Sequence, residues 1–477
     1  MITFLICLAL LVAAYFGYGP LLERVCGIDP QAEVPSKRLY DGVDYVPMPR
    51  WRVFLIQLLN IAGIGPIFGA ILGACFGPAA FVWITAGGIF MGAMHDFLSG
   101  VMLVRNDGLS IPEIVGRYMG RGVRIFMRLF SLILLVLVGV VFLRSPAGIL
   151  GEMVPQIPYN MWIAIIVVYY FVATLLPVDK IIGRFYPVFG AALIFMALGL
   201  LAVLLTGDMA IPEITAWHNA QPDTSKLPIM PVLFITIACG AISGFHATQS
   251  PMMARCVNNE RECRSVFYGA MISESIIALI WAAAAMAFFG GADGLSAALA
   301  GHGNNAAWAV STISRSTLGV AGGILAVLGV VAAPITSGDT AFRSARLIVA
   351  DIFGLEQKSR LKRLYICIPL FAIGIGITFV DFDILWRYFS WTNQALATVV
   401  LWSIVVWLAG ERRNIWVALP AAVFMTFVCA SFLFVSGQFL GMGASAAAYA
   451  GGGVVTAAIA ALMCAKVVRA RKKSVKI

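Results

Sequence analysis

Long runs of apolar residues recur along the whole chain and constrain its fold more than any other feature. A run of about 20 apolar residues can cross the hydrocarbon core of a bilayer as a helix. Of the 477 residues, 61% are hydrophobic and 12% are charged, about half the roughly 25% charge of soluble domains. We therefore predict an all-α polytopic membrane protein. Thirteen transmembrane helices are expected, at 2–19, 53–76, 79–104, 125–143, 160–177, 187–206, 231–249, 267–290, 318–337, 364–380, 389–409, 415–436 and 447–467.

Lysine and arginine are distributed unevenly between the loops that these spans create. If the N-terminus is extracytoplasmic, the outer loops contain only Arg144, Lys226, Arg315 and Arg387 of the 33 Lys and Arg residues. Cytoplasmic loops of membrane proteins are enriched in positive residues. The split therefore favours this orientation, with a cytoplasmic C-terminus. It also accounts for the net charge of +10 without a nucleic-acid partner, and we interpret the basic tail as a membrane anchor.

Glycine and proline interrupt two of the predicted spans, at residues 60–69 and 240–251. Proline removes a backbone donor from a helix, and glycine leaves helical angles cheaply. An interrupted membrane helix exposes carbonyl groups that can bind a cation and a helix N-terminus that can bind an anion. A single glycine would more simply indicate close helix packing. The candidate substrate-binding residues at the two interruptions are Asn60, Gly63, Gly65, Pro66, Gly244, His246, Thr248 and Gln249.

The two interrupted spans each begin a set of five spans. Because five is odd, the second set runs through the membrane in the opposite direction, as in an inverted-topology repeat. This pattern predicts a helix and cytoplasmic loop at 1–52, a first repeat at 53–206 and an extracytoplasmic loop at 207–230. A second repeat follows at 231–409, and 410–477 forms two further spans and the cytoplasmic tail. The stretch 291–317 is expected to lie outside the membrane, and its part from Gly291 to Gly303 is expected to be a loop or a short re-entrant segment.

Ionisable side chains at membrane depth are costly, so they are candidates for function. His95 and Asp96 lie well inside the third span, and His246 follows the second interruption. A histidine can exchange a proton near neutral pH, so we expect His95 or Asp96 to take part in proton coupling. A structural tie between two helices is the alternative. Glu274 could act in coupling or form an ion pair with an arginine.

Two further polar groups lie in later spans. Thr336 and Ser337 follow Pro334, and hydroxyl groups beside a broken backbone suit a sodium ion. Asp339 could serve a sodium site or a proton path, or it could pair with Arg343 one turn on. The amides of Asn393 and Gln394 offer donors and acceptors to a substrate.

Several other functions are not supported by the sequence. The nine cysteines include no C-x-x-C pair, and we interpret those in apolar runs as small buried side chains, not as metal ligands. No phosphate loop of the G-K-[ST] type is present, and no G-x-S-x-G motif frames a nucleophile. We therefore expect neither an ATP-driven pump nor an enzyme, and no cofactor beyond a coupling ion, H⁺ or possibly Na⁺.

Five motifs in order resemble the carbon starvation protein A (CstA) family. They are the runs Asn60 to Pro66, Met91 to Phe97, Gly244 to Pro251, Thr336 to Arg343 and Trp391 to Gln394. The resemblance implies a LeuT-type core of two inverted five-helix repeats, a bacterial inner-membrane location, and uptake of pyruvate or small peptides with protons. Known long members of the family have extra segments, so this chain resembles a compact form.

The sequence therefore predicts a secondary active transporter that imports a small organic nutrient, with pyruvate as the first candidate, by cation symport and alternating access. Uptake of peptides or amino acids by the same fold is the main alternative. A channel, a membrane nutrient sensor and an intramembrane enzyme built on His95 and Asp96 are the alternatives from other classes. The expected partners are the substrate and the lipid bilayer, and the sequence does not indicate an oligomeric state.

Overall fold

A computed structural model describes residues 1–42, 44–175, 178–215, 217–355 and 360–473. Within these ranges the chain is helical. Its helices are α1 (Ile2–Phe16), α2 (Tyr18–Cys26), α3 (Pro35–Arg38), α4 (Arg50–Ile61), α5 (Gly65–Ala74), α6 (Ala79–Gly87), α7 (Met94–Arg105), α8 (Ile111–Met119), α9 (Arg121–Met153), α10 (Tyr159–Leu175), α11 (Val178–Thr206), α12 (Phe234–Thr236), α13 (Gly244–Ala254), α14 (Gly269–Phe288), α15 (Ala292–Gly301), α16 (Ala306–Leu325), α17 (Ala332–Phe353), α18 (Arg360–Ile377), α19 (Phe382–Gly410), α20 (Leu419–Val435) and α21 (Ala446–Lys473).

Four of these helices continue from π-helical turns, and one short 3-10 turn precedes α20. The π-helical turns are Gly88–Ala93, Ile229–Leu233, Arg264–Tyr268 and Ala326–Val331, and the 3-10 turn is Ile415–Val417. Turns of the π type widen a helix locally and occur often at functional sites. The turn Gly88–Ala93 joins α6 to α7, so that residues 79–105 form one continuous membrane-length helix.

Nine helices in the described part of the chain are long and apolar enough to cross a membrane, and the bent pair α4–α5 would make ten. The apolar helix at 159–173 is shorter. The count of thirteen spans stays a prediction. Of the basic residues expected on the inner side, some lie outside the described residues or have undescribed side chains: Lys180, Arg184, Lys358, Arg360, Lys473 and Lys476.

Apolar side chains cover both the core and the outer surface of the bundle. Trp281, Phe142 and Phe245 are fully buried between helices, whereas Val320 and Phe379 are 85% and 86% exposed. Apolar side chains that face outward from a helical bundle are stable when the surrounding solvent is lipid. The pattern therefore agrees with a multi-pass membrane protein.

Both predicted interruptions are present in the structure. Helix α4 ends at Ile61 and α5 starts at Gly65, with a bend of 49° between them. Helix α12 ends at Thr236 and α13 starts at Gly244, so residues 237–243 are unwound. Each interruption opens one of the two five-span sets expected from the sequence.

The stretch 291–317, expected to lie outside the membrane with a loop or a short re-entrant segment at 291–303, is largely helical. It forms α15 and the first part of α16. Gly319 adopts the left-handed value φ 58° within α16 and breaks the helical geometry there. A kink at Gly319 therefore divides α16, and the later part continues through a π-helical turn into α17.

Candidate functional site

The two interruptions meet in the middle of the bundle. A Cβ atom on Gly65, the first residue of α5, would lie 2.5 Å from Sγ of Cys239 in the unwound segment. Gly240, next to Cys239, has φ +86°, and a Cβ there would lie 2.6 Å from Cβ of Ala278. A side chain at position 65 would push the two broken backbones apart, and one at position 240 would meet α14 and would need a left-handed backbone, so both positions favour glycine.

Helix α19 holds the unwound segment with two amide side chains. Oδ1 of Asn393 accepts a hydrogen bond of 2.7 Å from the backbone N–H of Phe245, and Nδ2 lies 3.0 Å from the Ser243 hydroxyl. Nε2 of Gln394 donates to the Ile237 carbonyl at 3.3 Å and also to the Phe234 carbonyl. These two residues, expected to contact substrate, here satisfy backbone groups that the break in the helix leaves free.

Four buried ionisable side chains form a row beside the unwound segment. Nδ1 of His95 lies 2.8 Å from Oδ1 of Asp96, and Nδ1 of His246 lies 2.8 Å from Oδ2 of the same carboxylate. Nε2 of His246 lies 3.2 Å from Oε2 of Glu274. All four side chains are 0% exposed. The row runs from α7 through α13 to α14, and so joins three helices from the two predicted repeats.

The row needs a proton, or another cation, between His246 and its two carboxyl neighbours. Both ring nitrogens of His246 face carboxylate oxygens, and an imidazole donates through both nitrogens only when it is protonated. In the neutral form one ring nitrogen has a lone pair that points at a carboxylate. That arrangement is unfavourable in a buried site. A proton shared along this row, or another cation, would remove that conflict.

Cys239 lies at the same end of the row as Glu274. One ligand atom from each of Cys239, His246 and Glu274 falls within 4.8 Å of the others, and all three residues are buried. This is the group that could hold a metal ion in the described part of the chain. Glu274 was predicted either to act in coupling or to pair with an arginine. The structure places it against His246, whereas Arg264 pairs with Glu23 at 3.4 Å.

A second polar group lies between α4 and α13. Nε2 of Gln57 donates to the Ser250 hydroxyl at 3.0 Å. Neither polar atom of the Asn60 amide has a hydrogen-bond partner among the described residues, although Asn60 is 0% exposed. The Gln249 side-chain oxygen is likewise unpaired within that part of the chain. Buried polar groups are usually hydrogen-bonded, so these amide atoms can accept a partner from a ligand or from water.

The remaining predicted substrate residues line the same region through their backbone. Gly63 lies against Phe142 of α9, whose ring contacts Phe245 edge-on with a centroid separation of 5.7 Å. Pro66 follows Gly65 in the first turn of α5. The Thr248 hydroxyl donates to the Phe245 carbonyl at 2.6 Å and accepts from Nε2 of Gln249 at 3.2 Å.

The predicted sodium residues lie on α17, beside the end of α4. The Ser337 hydroxyl donates to the Leu59 carbonyl at 3.2 Å, and the Thr336 hydroxyl donates to the Ala333 carbonyl at 2.7 Å. Asp339 lies one turn further along and contacts Arg343 at 3.4 Å. The structure therefore places Ser337 against the end of α4, whereas the Thr336 hydroxyl bonds within α17 and Asp339 takes part in an ion pair.

A cavity of about 540 Å³ opens at the end of the bundle where α5 finishes and α12 begins. It is lined in part by Phe76, Thr236, Trp386 and Ser390, and by Asp223 on the loop before α12. The Ser225 hydroxyl and the backbone N–H of Lys226 lower the pKa of Asp223 to about 2. Asp223 is therefore ionised at neutral pH. Thr236 is the last residue of α12, so the cavity reaches the edge of the unwound segment.

Two residues of this site were not predicted from the sequence. Cys239 was interpreted as a small buried side chain, although its position next to Gly240 in an interruption was a signal that it borders a site. Gln57 lies one turn before Asn60, and a buried glutamine one turn before a predicted helix break could have been identified by its spacing alone.

Comparison with known proteins gives one family. The family model described as carbon starvation protein CstA matches residues 1–155 and 145–326. An uncharacterized membrane protein of Haemophilus influenzae is 42% identical over 339 residues, covering 61% of this chain and 91% of the relative. The pyruvate/proton symporter BtsT of Escherichia coli is 28% identical, and the match covers 54% of this chain and 45% of the symporter. The peptide transporter CstA of Escherichia coli is 26% identical, and the match covers 58% of this chain and 48% of that transporter. The chain thus spans about half the length of these two transporters.

Solved structures with a similar fold are transporters. MhsT, solved in complex with L-phenylalanine, gives a TM-score of 0.54 at 15% identity and covers 89% of this chain and 99% of that one. A mutant of the Eremococcus coleocola manganese transporter gives a TM-score of 0.51 at 14% identity, and the match covers 89% of this chain and 94% of that one. At such identities the likeness concerns the fold alone. It confirms the predicted LeuT-type architecture.

Proposed function

Because the chain belongs to the carbon starvation protein CstA family, whose model matches more than half of it, we propose that it is a secondary active transporter that imports pyruvate together with a proton. Its family and its structural neighbours are transporters and not enzymes. The observation that carries the proposal is the buried row of His95, Asp96, His246 and Glu274 at the crossing of the two broken helices.

The row is suited to carry the coupling proton. A proton on His246 is held between two carboxylates at 2.8 and 3.2 Å, and His95 offers a second imidazole on the far side of Asp96. Its members sit on different helices, so a rearrangement of α13 relative to α7 changes the spacing of the row. The affinity of the row for a proton therefore depends on the position of α13, and coupled transport requires such a dependence.

The proposed place for the substrate carboxylate is the start of α5. The N-terminus of a helix carries partial positive charge and free N–H groups, which favour an anion. Asn60, just before the break, adds an unpaired buried amide that can donate to a carboxylate or keto oxygen. The N-terminus of α13 is less available, because the Asn393 side chain already accepts from the Phe245 N–H.

Uptake by purified protein in proteoliposomes tests the proposal. We expect labelled pyruvate to accumulate when an inward proton gradient is imposed, and not when an inward sodium gradient or no gradient is imposed. His246→Ala should abolish this accumulation while the protein remains folded and monodisperse in detergent. Full uptake by His246→Ala would remove His246 from the mechanism, and accumulation under none of the gradients would contradict pyruvate as substrate.

Sodium coupling is the second candidate, and one contact favours it. The Ser337 hydroxyl lies 3.2 Å from the Leu59 carbonyl at the end of α4, and hydroxyl and carbonyl oxygens are suitable sodium ligands. If sodium drives uptake, Ser337→Ala should weaken the dependence on sodium concentration, whereas Asp96 substitutions should have less effect. The sodium arm of the same uptake assay distinguishes the two cations.

Peptides or amino acids are the alternative substrates. The cavity of about 540 Å³ is much larger than pyruvate, and one relative in this family is a peptide transporter. We propose the same cation-coupled mechanism for them, with uptake of labelled di- and tripeptides as the test. A channel would be indicated by uptake that never exceeds equilibrium, and a sensor by ligand binding without uptake.

The proposed setting is the inner membrane of a bacterium, with the N-terminus outside and the basic tail inside. In that orientation the cavity next to Thr236 and Trp386 opens to the outside. A Lys472→Cys variant, altered in the basic tail beyond the last predicted span, would test this by its labelling with an impermeant thiol reagent from each side of oriented vesicles.

A further inference from the structure

We propose that Cys239, His246 and Glu274 form a binding site for a thiophilic divalent cation of the Zn²⁺ class. The three side chains come from three separate segments: the unwound stretch after α12, the first turn of α13 and the second turn of α14. Their ligand atoms converge within 4.8 Å in a fully buried position. Sulfur, imidazole nitrogen and carboxylate oxygen are the donors that Zn²⁺ takes in proteins.

The distances fit such an ion with little movement. Zinc bonds of about 2.0–2.3 Å place tetrahedral donor atoms about 3.3–3.8 Å apart. Nε2 of His246 and Oε2 of Glu274 are already 3.2 Å apart. The Cys239 sulfur has to move slightly closer to the other two ligand atoms. The backbone around Cys239 can allow this movement because it is unwound and no helical hydrogen bonds have to break.

His246 is held in the orientation that a metal ligand needs. Its Nδ1 faces the Asp96 carboxylate at 2.8 Å, which fixes Nε2 as the free lone pair when the ring is neutral. Metal-binding histidines commonly donate their other N–H to a carboxylate in this way. Asp96 is in turn held by His95 at 2.8 Å, so the residue that orients His246 is itself fixed in place.

The unsatisfied atoms supply the independent evidence. Nε2 of His246 and Oε2 of Glu274 face each other at 3.2 Å, and neither these two atoms nor Oε1 of Glu274 forms a hydrogen bond of good geometry among the described residues. A lone pair and a carboxylate that face each other in a buried site repel unless a cation lies between them.

The chemistry of the donors selects the kind of ion. Hard cations such as Mg²⁺ and Ca²⁺ take oxygen ligands, whereas a thiolate and an imidazole favour Zn²⁺ and related transition metals. Three protein ligands leave a fourth position open, as in metal sites that exchange water or substrate.

A consequence for transport rests on the proposed function. A metal ion on Nε2 of His246 occupies the lone pair that the proton path requires, and it ties α13 to α14. Bound Zn²⁺ should therefore stop proton-driven uptake. The binding itself does not depend on what the protein transports.

Cobalt spectroscopy on the metal-stripped, full-length protein in detergent tests the site. We expect Co²⁺ to bind at one ion per chain with visible bands of a tetrahedral site and a sulfur-to-cobalt charge-transfer band, and Zn²⁺ to displace it. Cys239→Ala should lose the charge-transfer band, with a fall in affinity larger than the about 10- to 100-fold typical of an outer-shell change. Cys429→Ala is the matched control, because Cys429 is buried in α20 beside Thr398.

A wild-type protein without the charge-transfer band, or a Cys239→Ala variant that keeps it, would overturn the proposal. If Cys239→Ala is not monodisperse, Glu274→Gln decides the matter, since it keeps the side-chain shape and should lose Co²⁺ affinity by more than about 10-fold. Unchanged affinity in Glu274→Gln would also overturn it. Cobalt binding without any uptake activity would contradict the proposed transport and leave the metal site standing.

Discussion

Nδ1 of His246 lies 2.8 Å from Oδ2 of Asp96, and this contact joins two residues 150 positions apart in the chain. It connects the first turn of α13, just after the unwound segment, to the first turn of α7, just after a π-helical turn. Both partners are fully buried. A movement of α13 relative to α7 therefore either carries this hydrogen bond along or breaks it, and breaking it costs more when the carboxylate is charged.

Asp96→Asn should abolish proton-driven uptake, because the amide cannot balance charge on either neighbouring histidine. It should also lower stability, since removal of one partner from a buried charged network costs about 3–5 kcal/mol. Proteoliposome uptake and thermal melting in detergent measure the two effects. Asp107→Asn is the control, because Asp107 pairs with Arg38 at an exposed position and such pairs contribute about 0–1 kcal/mol. Normal uptake by Asp96→Asn would exclude the row from coupling.

Asn60→Leu should separate stability from function. Asn60 is buried with both amide atoms unpaired in the described part of the chain, and each buried unpaired polar group costs about 1–3 kcal/mol. An apolar side chain of similar size removes that cost, so the melting temperature should stay constant or rise while uptake falls to background. Ser131→Ala, at a buried position in α9, should leave uptake unchanged. A stable Asn60→Leu variant with full uptake would show that Asn60 does not contact the substrate.

Gly92→Ala should destabilise the packing around the unwound segment. A Cβ on Gly92 would overlap the Ala241 carbonyl oxygen and lie 2.6 Å from Cε of Met271. Overpacking of this kind costs about 1–3 kcal/mol, which thermal melting would detect. Gly151→Ala in α9 meets no atom within 4 Å, and alanine there should stabilise by up to about 1 kcal/mol. Equal melting temperatures for the two variants would contradict the tight fit.

Glu260→Gln should loosen the end of the bundle opposite the cavity. Glu260 is 1% exposed, accepts from Nε and Nη2 of Arg105 at 2.6 and 2.9 Å, and accepts from the Asp29 N–H at 2.6 Å. Hydrogen bonds to charged groups contribute about 1.5–3 kcal/mol, so an open state should become about 10- to 100-fold more populated.

Thiol labelling measures this opening. Cys26 and Cys263 are 0% exposed near Glu260, and they should react faster with a maleimide in Glu260→Gln than in the wild type. Glu113→Gln is the control, because Glu113 pairs with Arg124 and Arg128 at partly exposed positions. Unchanged labelling in Glu260→Gln would show that this ion pair does not hold the end closed.

Much of the fold followed from local sequence. The interruption at residues 60–69 was predicted from glycine and proline and appears as a break at 62–64. The one at 240–251 appears as a break at 237–243, which includes Gly240, whereas Pro251 lies inside α13. Backbone chemistry decides these positions, since glycine and proline act on their own residue and near neighbours. The helical character of 291–317 was not predicted, because short helices at the ends of a bundle are stabilised by packing more than by their own pattern.

The contacts between the buried polar groups, in contrast to the helix breaks, did not follow from local sequence. His95, Asp96, His246 and Asn393 were selected from the sequence because polar side chains at membrane depth are costly. Which of them meet was not visible there. Glu274 had two reasonable partners in sequence, and Asn393 could equally have faced a substrate or a backbone.

The sequence by itself determined that this chain is a helical membrane protein with two broken helices and a few buried ionisable residues, because hydrophobicity, helix breaking and the cost of burying charge are properties of single residues and short segments. Only the tertiary structure decided that Asp96, His246, Glu274 and Cys239 meet at one point. That convergence depends on how α7, α13, α14 and the unwound segment pack together, and contacts between residues far apart in the chain are set by the shapes of whole helices.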